Sequence, residues 1–209
     1  ATYAPNSGEI LSRKESWGVI MASFFLDPIW WLFVGWLPLY LFETYGFGVE
    51  EIATYAWVPY VGAMFGAWFG GILAGRLIKS GWTVNKTRKL VIALGGLIML
   101  VSLLLTIVAA SPLIAVLLMA AILFGFQTAV GNIQTLPSDF YSGKSVASLA
   151  GFAGTAAKLA VVGLNFLIPV ITVNSYAPAF AVGAGLAIMT VLSVLVLCTD
   201  IKPLKPKNS

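Results

Sequence analysis

The sequence predicts an all-α integral membrane protein of six transmembrane helices. Three observations predict it. Of 209 residues, 59% are hydrophobic and 10% charged, where a soluble domain carries about 25% charged residues. The apolar residues fall in six blocks about 20 residues long, the length that crosses a bilayer core. The twelve Lys and Arg residues fall almost entirely on one side of those blocks. Spanning segments of this kind are helical, because a backbone in lipid must satisfy its own hydrogen bonds.

The residues from Ala1 to Glu15 are polar and read as a linker, without the charged start and cleavage site of a signal peptide. The first span runs from Ser16 to Leu41, and a turn with Glu43, Gly46, Gly48, Glu50 and Glu51 follows. The second covers Thr54 to Ile78 and ends at a short basic loop, Lys79 to Lys89. The third is Leu90 to Ala110, broken off by Ser111-Pro112. The fourth is Leu113 to Leu136, the fifth Ser145 to Thr172, and the sixth Ala179 to Cys198. A Lys- and Pro-containing tail closes the chain.

Six spans put both ends on one side. Arg13, Lys14, Arg76, Lys79, Lys86, Arg88, Lys89, Lys144, Lys202, Lys205 and Lys207 all fall on that side. The opposite loops hold only Glu43, Glu50 and Glu51. The positive-inside rule then makes both ends cytoplasmic. The net charge of +4 is explained by this asymmetry, not by a nucleic-acid partner.

Spans three and six carry few polar side chains and suit the lipid-facing periphery. Spans one, four and five concentrate the polar groups. A bland helix in every third place suggests two triplets, the plan of many secondary transporters. Gly62, Gly66 and Gly70 in span two recur at every fourth position, a spacing that lets helices approach closely.

Asp27 and Lys158 are the unusual residues. An ionisable side chain at membrane depth faces a bundle interior or a wet cavity. Asp27 stands about eleven residues into its span, roughly 16 Å deep, and Lys158 about thirteen into its own, roughly 20 Å. Both spans run the same way, so acid and base lie at similar depth. Asp27, Trp30, Trp31, Val34 and Pro38 share a helical face. Gly151, Gly154, Thr155 and Asn165 share the face of Lys158. On span four, Gln127, Gly131 and Gln134 form one stripe, with Thr128, Asn132 and Thr135 beside it.

This combination suits a small polyhydroxylated anion. Lys158 would hold a carboxylate, Gln127 and Asn132 would read hydroxyls, and Trp30 or Trp31 would cover a sugar ring. Other readings stand beside it. Asp27 and Lys158 make a structural bridge, Asp27 holds a helix N-terminus or a loop, or Asp27 is a proton-sensitive gate. The span-four amides serve helix association. No histidine is present and Cys198 is the single cysteine. With no nucleophile–base pair and no metal cluster at membrane depth, the residues point to no catalytic site, no metal and no cofactor.

Phe25 to Leu41, with Asp27-Pro28-Ile29-Trp30-Trp31 and Trp36-Leu37-Pro38, resembles the seventh helix of bacterial hexuronate transporters. These belong to the anion:cation symporter branch of the major facilitator superfamily. The loop from Gly81 to Lys89 is similar to the family's loop between helices eight and nine. Gly71 to Arg76 resembles the second copy of the superfamily's basic loop motif, with Gly75 where an acid is frequent. Asn132 and Pro137-Ser138-Asp139-Phe140 resemble the end of helix ten. Gly151 and Gly154 resemble the glycine-rich helix eleven, where Lys158 replaces a small residue.

The resemblance implies the C-terminal bundle of a twelve-helix fold. Residues 1–15 would end a cytoplasmic central loop, 16–201 form the bundle, and 202–209 a cytoplasmic tail. It implies uptake of a sugar acid such as galacturonate or glucuronate by alternating access in a bacterial inner membrane. The coupling ion would be a proton or sodium, and an N-terminal six-helix half would complete the transporter. The alternatives are another organic anion in the same family, or a self-associating six-helix channel or membrane scaffold.

Overall fold

A computed structural model describes residues 4–205. The linker over 1–3 and the tail over 206–209, Lys207 included, lie outside the described residues. A short helix α1, Ser7–Leu11, precedes the first span and buries Ile10. The six apolar helices long enough to cross a membrane are α2 (Lys14–Tyr45), α4 (Val58–Lys79), α5 (Val84–Thr106), α6 (Pro112–Phe140), α7 (Lys144–Ile171) and α8 (Ala177–Leu192). A helical turn α3, Val49–Tyr55, leads into α4, and α8 ends in a π-helical turn, Ser193–Leu197. No β-strand occurs among the described residues.

Helices α2, α5 and α6 are longer than hydropathy alone outlines, because capping chemistry sets their ends, whereas α4 begins at Val58, later than the expected Thr54. Helix α2 continues through Pro28 and Pro38 to Tyr45 and stops at Gly46. Gly46 takes a left-handed φ of 70°, and its N–H and that of Phe47 bond back to Phe42 and Leu41. This is a glycine C-cap. Glu51 accepts a hydrogen bond from the Gly48 N–H at 2.7 Å and opens α3. The Thr83 hydroxyl caps α5 by accepting from the Lys86 N–H. The span expected from Leu90 therefore begins at Val84, which draws Lys86, Arg88 and Lys89 onto a helix. Ser111 caps α6 with Pro112 in its first turn, and α6 runs past Pro137 to Phe140.

Helix α6 lies between α4 and α5, and bare backbone makes both contacts close. A Cβ added at Gly62 would run into the Ala120 backbone, at Gly66 into that of Phe124, and at Gly70 into Thr128 at 2.8 Å. The glycines repeat every fourth residue, and so do the residues they meet. Gly95 and Gly125 oppose each other in the same way: a Cβ on either would meet the other's carbonyl at 2.5–2.6 Å. The Thr128 hydroxyl crosses the first contact to the Gly66 carbonyl at 3.2 Å. Beyond this core, α2 packs on α7, α8 and α6, and α8 packs on α5.

The two bland spans are not the least covered. Helices α5 and α8 bury more of their residues within the bundle than α4 and α7 do. Helices α4 and α7 instead leave large side chains such as Trp68, Phe65, Phe166 and Leu159 exposed.

Close packing at Gly66 and open space at Gly71 give opposite signs to one substitution. In a free helix Ala is favoured over Gly by about 0.8–1.0 kcal/mol. Gly71→Ala, with nothing within 4 Å of the new Cβ, is expected to hold or raise the thermal midpoint of detergent-purified protein. Gly66→Ala forces α4 off α6 and is expected to lower stability by about 1–3 kcal/mol. Equal midpoints for the two variants would refute the packing account.

Candidate functional site

The helix spacing that puts Asp27 on α2 and Lys158 on α7 at one depth brings them together. Lys158 Nζ donates to Asp27 Oδ2 at 2.5 Å. The same ammonium lies 5.3 Å from the ring centroid of Trp31, within reach of the negative face of an indole. Of the alternatives for Asp27, pairing with Lys158 is the arrangement found. The pair is not sealed: the Lys158 side chain is 61% exposed and that of Asp27 24%.

The pair borders a cavity of about 400 Å³ between α2, α6 and α7. Its polar lining is Ser23, Asp27, Gln134 and Lys158, and the rest is apolar or small, with Gly154 opposite α2. Ser23, one turn before Asp27, was not singled out by the sequence. The signal for it is the four-residue spacing to an intramembrane acid. Gln134 is the member of the span-four stripe that reaches the cavity. Gln127 is half-buried two turns away and does not line it. Neither glutamine makes a hydrogen bond among the described residues.

The two tryptophans part company. Trp31 is exposed beside Lys158. Trp30 turns into the bundle, with its ring 5.4 Å from that of Phe126 on α6 and 5.9 Å from that of Tyr60 on α4.

Asn132 is also drawn elsewhere. Its side chain is buried, its Nδ2 donates to the Thr128 carbonyl at 3.1 Å, and its Oδ1 accepts from Arg88 Nη1 at 2.9 Å. Arg88 Nε donates to Asp139 Oδ2 at 2.9 Å. Arg88 thus clamps the start of α5 to the end of α6. The sequence hid this clamp, because apolar runs alone leave Arg88 and Asp139 in loops. Of the expected site residues, the structure assembles Asp27, Lys158 and Trp31, and adds Gln134 and Ser23. It places Gln127, Asn132 and Trp30 outside that cavity.

A second cavity, of about 430 Å³, opens at the far end near Glu43, Tyr45, Asn174 and Tyr176. Tyr176 donates to Glu43 Oε2 at 2.7 Å. Burial, then this bond, pushes the Tyr176 phenol above its ordinary range. The cavity has an acid and no basic side chain, so it does not suit an anion. Among the described residues no group of His, Cys, Asp and Glu is arranged to hold a metal.

Comparison with known proteins bears on this geometry. The family model of the Major Facilitator Superfamily matches residues 3–164. The hexuronate transporter of Escherichia coli K12 is 32% identical over 195 residues, which is 92% of this chain and 44% of that protein. The galacturonate transporter of Dickeya chrysanthemi is 38% identical over 94 residues, 44% of this chain and 27% of the relative. A probable chloroplastic anion transporter of Oryza sativa subsp. japonica is 28% identical over 168 residues, covering 78% of this chain and 31% of its own. The chain therefore spans less than half the length of these relatives.

The different settings of the tryptophans predict different losses. Trp30→Ala empties a site between three helices and is expected to lower stability by about 3 kcal/mol. Trp31→Ala, at a side chain 38% exposed, is expected to cost less than about 1 kcal/mol. Thermal unfolding followed by size-exclusion chromatography separates the two, and a larger loss at Trp31 would contradict the placement.

Proposed function

The chain belongs to the major facilitator superfamily, and we propose that it forms the C-terminal six-helix half of a secondary transporter for a sugar-acid anion such as galacturonate or glucuronate. One observation carries the reading: an intramembrane ammonium, Lys158, stands open to a cavity between α2, α6 and α7. A lysine at that depth is costly unless it serves a site or a partner. Its relatives' names, hexuronate and galacturonate transporter, supply the kind of anion.

In this reading Lys158 holds the substrate carboxylate by a charge-assisted hydrogen bond. Gln134 and Ser23 meet hydroxyl groups, and the indole of Trp31 faces the ring. Gln127 reads hydroxyls from deeper in the cleft once the second half is docked. Asn132 and Trp30 support α6 from behind. The N-terminal six helices would cover the exposed sides of α4 and α7 and close the cavity, and rocking of the two halves would expose it to each side in turn. Both ends of this chain face the cytoplasm of a bacterial cell, because the basic residues gather there. A proton is the coupling ion that the open carboxylate of Asp27 favours.

Uptake of labelled galacturonate and glucuronate into proteoliposomes of the full-length protein, with and without an inward proton gradient, tests the reading. Wild type is expected to accumulate one of them when the gradient is imposed. Lys158→Ala is expected to lose roughly tenfold or more, the value of one charge-assisted hydrogen bond. Uptake that survives Lys158→Ala would remove Lys158 from the site. No uptake of either acid would overturn the sugar-acid assignment.

A further inference from the structure

We propose that the outer cavity beside Glu43 is a cation site that takes an alkylammonium group, from a free small amine or from the head of an aminophospholipid. It shares no residue with the Lys158 cavity. The inference goes beyond the transport reading and does not depend on it.

Three helices end at this cavity, and none brings a compensating charge. Tyr45, the last residue of α2, Thr106, the last of α5, and Thr172, directly after α7, all line it. A helix C-terminus carries a partial negative charge, which a Lys or Arg in the last turn stabilises. None of the three has a basic residue in its last turn. One N-terminus, that of α8 at Ala177, faces the same space with the opposite sign. Glu43 adds a full negative charge. The outer loops add Glu50 and Glu51 and hold no Lys or Arg among the described residues. The balance at the cavity is therefore negative.

The hydrogen bonds have the same sense. The Tyr45 phenol donates to the Ala109 carbonyl at 3.3 Å, so Tyr40, 3.2 Å from it, is the donor to Tyr45. Tyr176 donates to Glu43 Oε2. Thr106 and Thr172 donate to the Ser102 and Ile168 carbonyls of their own helices. These hydroxyl protons are all committed, and what the groups keep for the cavity is lone pairs. Donors remain at the rim, on exposed Thr44, Asn174 and Ser175. An acceptor-rich space with an acid beside it calls for a cation rich in N–H donors, and an ammonium has three and no acceptor.

Size and walls point to an organic cation over a metal ion. The volume of about 430 Å³ lies in the range of small-molecule sites, which starts near 300 Å³. A single carboxylate lines it, and no metal-holding group of acids, His or Cys occurs among the described residues. Tyr40 packs edge-on against Tyr45, Tyr176 and Phe180, with ring centroids 5.7, 5.2 and 5.3 Å apart. All four rings line the cavity, and aromatic walls suit an ammonium and its alkyl stem. The cavity opens at the ends of the spans, the level of lipid headgroups, so a dissolved amine and an aminophospholipid can both reach it.

Thermal unfolding of the full-length transporter, followed by tryptophan fluorescence, tests this. The protein is held in mixed micelles of detergent and phosphatidylglycerol, with or without phosphatidylethanolamine, and the probe is ethanolamine. In phosphatidylglycerol alone, ethanolamine is expected to raise the wild-type midpoint saturably, by about 2 °C or more. Glu43→Gln, which keeps an acceptor for Tyr176, is expected to need about tenfold more ethanolamine for the same rise. Thr44→Lys puts an ammonium on the last turn of α2 at the rim. It is expected to raise the midpoint without ethanolamine and to abolish the response, which decides the matter should Glu43→Gln fail to fold. A wild-type response that vanishes when phosphatidylethanolamine is present supports the site and makes the lipid head its occupant. A response that persists supports the site and makes the occupant a dissolved amine. An equal rise from sodium chloride at matched ionic strength reduces the effect to screening and overturns the proposal. So does a rise with calcium chloride but not ethanolamine, no rise in phosphatidylglycerol, or variants that respond as wild type does. Sugar-acid uptake is not read here, so failure of this site leaves the transport reading standing.

Discussion

The structure depends on bare backbone meeting bare backbone along α6. In lipid there is no hydrophobic reward for bringing apolar helices together, so association relies on close packing and interhelical bonds. Helix α4 meets α6 through Gly62, Gly66 and Gly70, and α5 meets it through Gly95 and Gly125. These contacts fix the rotation of α6 about its own axis. Rotation decides which polar residues face which neighbour: Thr128 looks toward α4, Asn132 toward Arg88 of α5, and Gln134 into the cavity beside α2 and α7. The polar side chains of α6 are thus oriented by residues that have none.

On that frame the charged groups divide into two uses. At the basic end they fasten chain to chain. Arg88 ties α5 to α6, Lys89 donates to the Thr199 carbonyl at 2.8 Å, and Arg13 donates to the Lys205 carbonyl at 2.6 Å. The Leu204 N–H donates to the Phe140 carbonyl, and the Ile201 N–H to Asn85, so the segment after the last span lies across the ends of α5 and α6. Ile201 is buried there. Inside the bundle, by contrast, Lys158 has a single carboxylate partner and an open side. Arg88 has 15% of its side chain exposed where Lys158 has 61%. The first is committed to architecture and the second is accessible to a ligand.

The class, the six spans and the common depth of Asp27 and Lys158 are legible in the sequence, because each follows from a one-dimensional count, while their pairing stands there as one alternative among several. Apolar run length measures the membrane, and residues from a common end measure depth. What the count cannot give is rotation about a helix axis. Gln127, Gln134 and Asn132 are all polar residues of one span, and only the glycine contacts with α4 and α5 decide that Gln134 faces the cavity and Asn132 does not. Trp30 and Trp31 are adjacent, yet 100° of helical turn sends one between α4 and α6 and the other to Lys158. Helix ends were misjudged for a different reason. Thr83 caps a helix whose first turn is polar, and the last turn of α6 holds Pro137, Ser138 and Asp139; apolar runs register neither. The Arg88–Asp139 clamp was lost with those turns.

The uncovered faces carry the remaining argument. Helices α4 and α7 have few buried residues, and each carries glycines with open space before them, Gly71 and Gly75 on α4, Gly151 and Gly154 on α7. A glycine weakens a helix by about 1 kcal/mol relative to alanine unless its missing side chain is used. At Gly62, Gly66 and Gly70 the use is visible in α6. At Gly151 and Gly154 the open side belongs to the same face as Lys158, along a shallow surface that Thr155 and Val162 complete. Backbone kept bare next to an ionised side chain leaves room for something to approach the ammonium closely. That links the two unusual features of α7, its small residues and its charge, to one surface, which a sealed structural bridge would leave unexplained.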